Sequence, residues 1–252
     1  MIEFITSEPA LSVGIAAIIG FILYSAFRDS AVKAELAAST EPDKRIPIFN
    51  STMIWLWSLA ALVTIAWLVS GRSLFALGFQ SEPSTGFWIG WALTIIAGLY
   101  YGFQVLLMMR SAKARQGFRD QIASVPGVDL VHPSSRREHA SFQLVSVTAG
   151  ITEEIAFRGF LIGAFAIVMP VWAAAIAATL LFAIGHFYQG ISGMIRVALI
   201  GGGFALIFVL TNSLWPVILL HFLVDSLTGA MFAIAQAHDD DSSGAPLPQP
   251  AA

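Results

Sequence analysis

Three charged residues lie within a long and mainly apolar stretch of this sequence. Glu153, Glu154 and Arg158 occur in the segment G-I-T-E-E-I-A-F-R-G, and few other polar residues occur between residues 142 and 171. A charged side chain is costly to place in hydrocarbon, so charged residues inside membrane helices usually pair with one another or serve a function. If this stretch crosses a membrane, its two carboxylates and its guanidinium form a candidate functional site.

Two later apolar stretches each carry a histidine with a partner four residues away. Phe182 and His186 belong to the motif F-A-I-G-H, and His221 and Asp225 belong to the motif H-F-L-V-D. Residues four apart lie on the same face of an α-helix. A carboxylate beside an imidazole can fix its tautomer or stabilise its charged form, which is typical of acid–base sites.

The helical spacing predicts different roles for the two glutamates. Glu154 and Arg158 lie on one helix face with the acid N-terminal to the base, so we expect an ion pair that holds the helix or binds a substrate carboxylate. Glu153 points about 100° away from this pair. It is therefore free to act as a general base, since burial and nearby charges can tune the basicity of a carboxylate.

The elements that must position these residues are membrane helices. The chain is 57% hydrophobic and only 12% charged, whereas a soluble domain has about 25% charged residues. A helix needs roughly 20 apolar residues to cross the hydrocarbon layer. The segments that come near this length are 10–27, 52–70, 86–109, 141–168, 171–187, 194–210 and 214–235. We therefore predict an all-α, polytopic transmembrane helical bundle of about seven spans, or eight if the long fourth segment is broken.

The basic residues predict the orientation of these spans. Lys and Arg are concentrated in the loops 28–51 and 110–140, whereas the loop 71–85 contains only Arg72. Positive residues near membrane helices favour the cytoplasmic side. We expect an integral multi-pass protein of the cytoplasmic membrane of a prokaryote, with its N-terminus outside and its C-terminus in the cytoplasm.

The sequence divides into three regions. Residues 1–140 contain three spans and a cytoplasmic loop, and residues 141–235 contain all the candidate site residues. Residues 236–252 form an acidic and then Pro/Ala-rich tail, which we expect to be disordered because it has too few apolar residues to bury a core. The sequence does not indicate an oligomeric state.

The composition excludes several kinds of site. No cysteine is present, which excludes disulfides, thiolate metal ligands and a cysteine nucleophile. The 13 Lys and Arg residues are few and lie mostly in loops, so nothing indicates nucleic-acid binding.

Together, the three motifs resemble those of the CPBP family of intramembrane proteases, also called the Abi family, which includes the CAAX prenyl endopeptidases. The family pattern is EExxxR, then FxxxH, then HxxxN or HxxxD, each on a separate membrane helix, and the order and spacing match here. The resemblance covers about residues 141–235. It implies an intramembrane glutamic endopeptidase that lies in the lipid bilayer and hydrolyses a peptide bond of a membrane-associated protein or peptide.

The resemblance also implies a role for each residue. Glu153 and His186 would activate a water for attack on a peptide carbonyl, and His221 and Asp225 would stabilise the oxyanion. An ionised Asp cannot donate a hydrogen bond as an Asn can, so Asp225 would either be protonated or hold His221 in its positive form. The supporting or substrate-binding residues would be Glu154, Arg158 and Phe182.

Three alternatives to this metal-free protease remain open. Glu153, His186 and His221 are residue types that make a His₂Glu zinc site, but the H-E-x-x-H motif is absent, so we favour a mechanism without a cofactor. A proton- or ion-coupled transporter would also use buried carboxylates, although no inverted repeat or pair of broken helices is evident. The third alternative is a membrane scaffold without catalytic activity.

Overall fold

The structure is a computed structural model that describes residues 2–123, 125–126 and 132–243. In this part of the chain the regular secondary structure is helical. The α-helices are α1 (Ile2–Ser7), α2 (Pro9–Ala38), α3 (Ile46–Val69), α4 (Thr85–Arg110), α5 (Ala112–Ala123), α6 (Arg136–Glu153), α7 (Ile162–Phe165), α8 (Val171–Ile184), α9 (Gly190–Thr211) and α10 (Leu214–Ser243). A π-helix over Glu154–Leu161 joins α6 to α7, and a 3-10 turn over Phe187–Gln189 precedes α9. The predicted all-α class is confirmed.

In the described part of the chain, five helical segments are long and apolar enough to cross a membrane. These are Pro9–Ala38, Ile46–Val69, Thr85–Arg110, Phe187–Thr211 and Leu214–Ala237. The fifth predicted span is a shorter apolar helix, α8. The composition therefore supports a multi-pass membrane protein, and the count of seven or eight spans stays a prediction.

The helix ends follow from local backbone chemistry. Pro9 and Pro47 lie at the first positions of α2 and α3, where a missing N–H breaks no helical hydrogen bond. The Ser84 side chain caps α4 by accepting a hydrogen bond from the Phe87 N–H, and Asn212 ends α9 with a left-handed φ of 49°. Each of these features fixes the residue at which a helix begins or ends.

The fourth predicted span is continuous but changes its helix type. The regular helix α6 ends at Glu153, and the π-helix carries the chain to Leu161 before α7 begins. At Gly159 a Cβ atom would lie 2.7 Å from the backbone oxygen of Leu77, so only glycine allows this close approach. All eight residues of the π-helix are buried, and they contact α3, α8 and α10.

A buried carboxylate anchors the start of α6. Glu138 is 0% exposed, and its two oxygens accept hydrogen bonds from the backbone N–H groups of Arg45 at 2.8 Å and of Ser134 at 2.7 Å. The Arg45 guanidinium adds an ion pair at 3.3 Å. This contact joins the loop before α3 to the helix that carries Glu153.

The last helix extends beyond the predicted end of the final span. It runs to Ser243, into the segment that we expected to be disordered from residue 236. No Gly or Pro occurs between Ala230 and Ser243, so nothing in that stretch breaks the helix. Residues 244–252 of the predicted tail lie outside the described residues.

Candidate active site

Three separate segments bring the predicted site residues together. The junction of α6 and the π-helix carries Glu153, Glu154 and Arg158, the end of α8 carries Phe182 and His186, and the middle of α10 carries His221 and Asp225. The contacts below connect the side chains of all seven residues.

Glu154 lies at the centre of the buried polar contacts. Its Oε1 atom accepts hydrogen bonds from Arg158 Nη1 at 2.9 Å and from His221 Nδ1 at 2.7 Å. The predicted Glu154–Arg158 ion pair is therefore present, with side chains only 0% and 1% exposed. Within the described residues, Glu154 Oε2 has no hydrogen-bond partner. Neither residue lines the cavity described below, so the geometry favours a role in holding the helices over the alternative of binding a substrate carboxylate.

The Arg158 guanidinium connects the π-helix to α8 and α9. Its Nη2 atom donates a hydrogen bond to the backbone oxygen of Gly201 at 3.1 Å. Its Cζ atom lies 4.4 Å from the centre of the Phe182 ring and 5.4 Å from that of Phe204. Aromatic faces stabilise a guanidinium that has left water, so this one side chain holds three segments in register.

Three consecutive glycines of α9, at positions 201–203, provide a test of this packing. A Cβ atom at Gly201 would lie 3.0 Å from both Arg158 Nη2 and Phe182 Cδ1, whereas one at Gly202 would meet no atom within 4 Å. We expect Gly201→Ala to destabilise the protein by about 1–3 kcal/mol through overpacking. Gly202→Ala should instead be neutral or raise the stability by up to about 1 kcal/mol, because alanine favours a helix.

The measurement is the unfolding free energy of the two variants in mixed micelles. The pair is matched because both changes add one methyl group to adjacent positions of one helix. Equal effects of the two substitutions would show that the contact between Gly201 and Arg158 does not limit packing here.

His221 faces a carboxylate on each side of its ring. Nδ1 donates to Glu154, while Nε2 lies 3.5 Å from Asp225 Oδ2 and 3.8 Å from Glu153 Oε2. The hydrogen bond to Glu154 requires a proton on Nδ1, since a carboxylate oxygen only accepts. Nε2 is therefore the ring atom that points towards Glu153.

His186 has a fixed tautomer at the end of α8. Its Nδ1 atom donates a hydrogen bond to the backbone oxygen of Phe182 at 2.9 Å. Nδ1 must carry the proton, because a carbonyl oxygen can only accept a hydrogen bond. In the neutral ring, Nε2 then carries a free lone pair that can take a proton. The Phe182 ring packs at 4.7 Å from the imidazole ring, as the shared helix face predicts.

Glu153 and His186 lie in the wall of one cavity. The cavity has a volume of about 240 Å³, and the rest of its wall comes mainly from apolar and aromatic residues of α2, α3 and α6. The Glu153 side chain is 16% exposed, whereas that of Glu154 is 0% exposed. Of the two adjacent glutamates, only Glu153 is therefore accessible to a molecule in the cavity.

A metal site needs several His, Asp or Glu side chains that converge on one point. Within residues 2–123, 125–126 and 132–243, no group of three or more His, Asp or Glu side chains is arranged to hold a metal ion. Glu153, His186 and His221 are therefore not arranged as a His₂Glu zinc ligand set in this part of the chain.

Three further residues belong to the site but were not singled out as site residues from the sequence. Tyr188 lines the cavity beside His186, with its ring 6.0 Å from the imidazole. Gly201 supplies the backbone acceptor for Arg158, and Phe204 packs 5.2 Å from the His221 ring. Tyr188 follows the F-A-I-G-H motif by two residues, which is a signal in the sequence, whereas the roles of Gly201 and Phe204 depend on helix packing.

Comparison with known proteins bears on the same segment. Residues 137–227 match the model of a protein family described as type II CAAX prenyl endopeptidase Rce1-like. The match covers all seven predicted site residues and confirms the predicted family resemblance for this part of the chain. It supports a CAAX-type intramembrane protease in general terms, with a protein substrate and a membrane environment. Neither the curated proteins nor the solved structures gave a match.

Proposed function

Because residues 137–227 match the type II CAAX prenyl endopeptidase Rce1-like family, we propose that this protein is an intramembrane endopeptidase that uses Glu153 and His186 to activate a water. One observation carries this proposal. Glu153 and His186 share the wall of an apolar cavity, while the neighbouring Glu154 does not line it and accepts hydrogen bonds at Oε1 from Arg158 and His221. The substrate is a membrane-associated protein or peptide whose cleaved bond enters this cavity.

The first step is attack on the peptide carbonyl. Glu153 takes a proton from a water molecule, and His186 Nε2 orients that water by accepting its second hydrogen. The water oxygen forms a bond to the carbonyl carbon and produces a tetrahedral intermediate. The proton on Glu153 then passes to the leaving nitrogen as the carbon–nitrogen bond breaks, which gives a carboxylic acid and an amine.

The second requirement is a donor for the oxyanion. His221 Nε2 points towards Glu153, so a proton on this atom can be donated to negative charge that develops next to the attacked carbon. Asp225 lies 3.5 Å from the same nitrogen. We propose that Asp225 acts by holding His221 in its positive form rather than by donating to the oxyanion itself, because an ionised carboxylate has no hydrogen to donate.

We further propose that the reaction proceeds without a metal ion. Two observations support this: the H-E-x-x-H motif is absent, and no group of three or more His, Asp or Glu side chains among the described residues is arranged to hold a metal ion. Elemental analysis of the active, purified protein provides the test. One zinc per chain that is lost together with activity on chelation would overturn this part of the proposal.

The function itself is tested by comparing membrane proteomes. Cells that contain the wild-type protein and cells that contain Glu153→Gln are compared for new N- and C-termini of membrane-associated proteins. We expect a defined set of cleavage products only with the wild-type protein. Identical sets of termini in the two samples would contradict the proposal, provided that both proteins are inserted at equal levels.

A further inference from the structure

The cavity contains a cation that peptide hydrolysis does not use. Arg28 on α2 lines the same cavity as Glu153 and His186. Its Nη1 atom donates to Ser51 Oγ at 2.9 Å, and a guanidinium has five N–H donors. In the described part of the chain this neutral hydroxyl is the hydrogen-bond partner of Arg28, and most of its donors remain available.

Arg28 differs in this respect from three other arginines that are partly or fully buried. These form ion pairs with carboxylates; the pairs are Arg45–Glu138, Arg72–Glu8 and Arg158–Glu154. Arg115 is also partly buried and donates to a neutral oxygen, that of Met108, but it does not line the cavity. The acid next to Arg28, Asp29, also lines the cavity but is bound by Lys33 at 3.0 Å. Among the described residues, no carboxylate lies within ion-pair distance of Arg28. A partly buried charge is stabilised by a counter-charge, so this site is suited to an anion.

The helical geometry places Arg28 at a useful distance from the proposed catalytic residues. Ile22 packs against Gly185, the residue before His186, where a methyl group on the glycine would lie 3.7 Å from Ile22 Cγ1. Arg28 follows Ile22 by six residues, or about 9 Å along α2. An extended peptide advances about 3.3 Å per residue. A peptide whose cleaved bond lies at Glu153 can therefore place a group a few residues further on at Arg28.

We propose that Arg28 is a specificity-determining residue that binds an anionic oxygen group in the cavity whose wall also contains Glu153 and His186. The role in substrate choice rests on the proposed function, whereas the binding of the anion does not. Two sources carry this chemistry: a carboxylate of the bound peptide, and the phosphate of a lipid headgroup. Both use the planar fork of the guanidinium, which matches two oxygens of either group.

Binding of a labelled peptide tests the proposal without any need for cleavage. The full-length protein is placed in phosphatidylcholine nanodiscs, and the probe is a short apolar peptide with a fluorophore at its N-terminus and either a free carboxylate or an amide at its C-terminus. Fluorescence anisotropy should show that the free acid binds about tenfold more tightly, the usual effect of a charge-assisted hydrogen bond. Arg28→Gln should remove this preference, and Arg28→Lys should keep part of it.

Arg110→Gln is the matched control, because Arg110 is an exposed arginine at the end of α4 and does not line the cavity. It should leave the preference unchanged. A second arm measures retention of phosphatidylglycerol by native mass spectrometry. If the phosphate is the bound group, Arg28→Gln loses the anionic lipid and Arg110→Gln keeps it. The proposal is overturned if Arg28→Gln alters neither the peptide preference nor the retained lipid.

The same assay separates this proposal from the proposed function. A wild-type protein that shows the peptide preference but cleaves nothing would overturn the protease and leave the anion site standing. If Arg28→Gln cleaves substrates as well as the wild type and alters neither the peptide preference nor the retained lipid, the anion site is overturned and the protease is left standing.

Discussion

Glu153→Gln is expected to abolish proteolysis while leaving the fold intact. Glutamine keeps the size of the side chain but cannot accept a proton from water, so the general base is lost. Such catalysis contributes about 10²–10⁴-fold to rates, and we expect the cleavage rate to fall by at least about 10²-fold. The measurement uses a substrate identified by the proteome comparison, with purified wild-type and variant proteins at equal concentration.

Stability and a surface carboxylate provide the controls for this result. Glu153 forms no hydrogen bond or ion pair with Arg158, and its Oε2 lies 3.8 Å from His221, so the variant should keep its helical content and unfolding midpoint. Glu35→Gln changes an exposed carboxylate of α2 and should keep full activity. A Glu153→Gln protein that cleaves at more than about half of the wild-type rate would rule out Glu153 as the base.

Arg158→Met should produce the largest loss of stability. Methionine has a similar length but leaves the Glu154 carboxylate buried without its arginine. Removing one member of a buried ion pair destabilises proteins by about 3–5 kcal/mol, and the hydrogen bond to Gly201 is lost as well. Reversible unfolding in mixed micelles, followed by circular dichroism, measures the difference from wild type.

A double variant distinguishes an unpaired charge from a packing defect. Adding Glu154→Gln to Arg158→Met removes the buried charge, so the double variant should be more stable than Arg158→Met alone. Arg137→Gln is the control, because it breaks an ion pair whose arginine is 83% exposed, and exposed pairs contribute about 0–1 kcal/mol. If Arg158→Met loses no more than Arg137→Gln, the pair does not hold the helices together.

Much of the helical framework could be predicted from hydropathy. All seven predicted segments overlap helices of the described residues, because long runs of apolar residues favour membrane helices. The boundaries were less predictable: α2 continues to Ala38, and α10 continues to Ser243. A prediction from hydropathy ends a span where the apolar residues end. The helix itself continues until a capping residue, a glycine or a proline stops it.

The site was predictable where it depends on spacing within one helix, and less so where helices meet. The Glu154–Arg158 pair follows from a separation of four residues, and so does the packing of Phe182 on His186. The contact between Glu154 and His221 joins two helices 67 positions apart. Spacing within α10 predicts the contact of His221 with Asp225, which is 3.5 Å long, whereas the shorter contact of 2.7 Å is to Glu154 on another segment.

The π-helix over Glu154–Leu161 has a consequence for changes in chain length. A hydrogen bond of a π-helix joins residues i and i+5, so each π turn contains one residue more than a turn closed by the i to i+4 bond of an α-helix. Deleting one residue between Glu154 and Arg158 would remove this extra residue and permit ordinary α-helical bonding, with the guanidinium still on the face of Glu154. Inserting one residue would instead turn the guanidinium by about 100° around the axis. Arg158 would then leave Glu154, although Glu153 would stay in place. We therefore expect the chain to tolerate a one-residue insertion in the loop 71–85 more readily than one between Glu154 and Arg158.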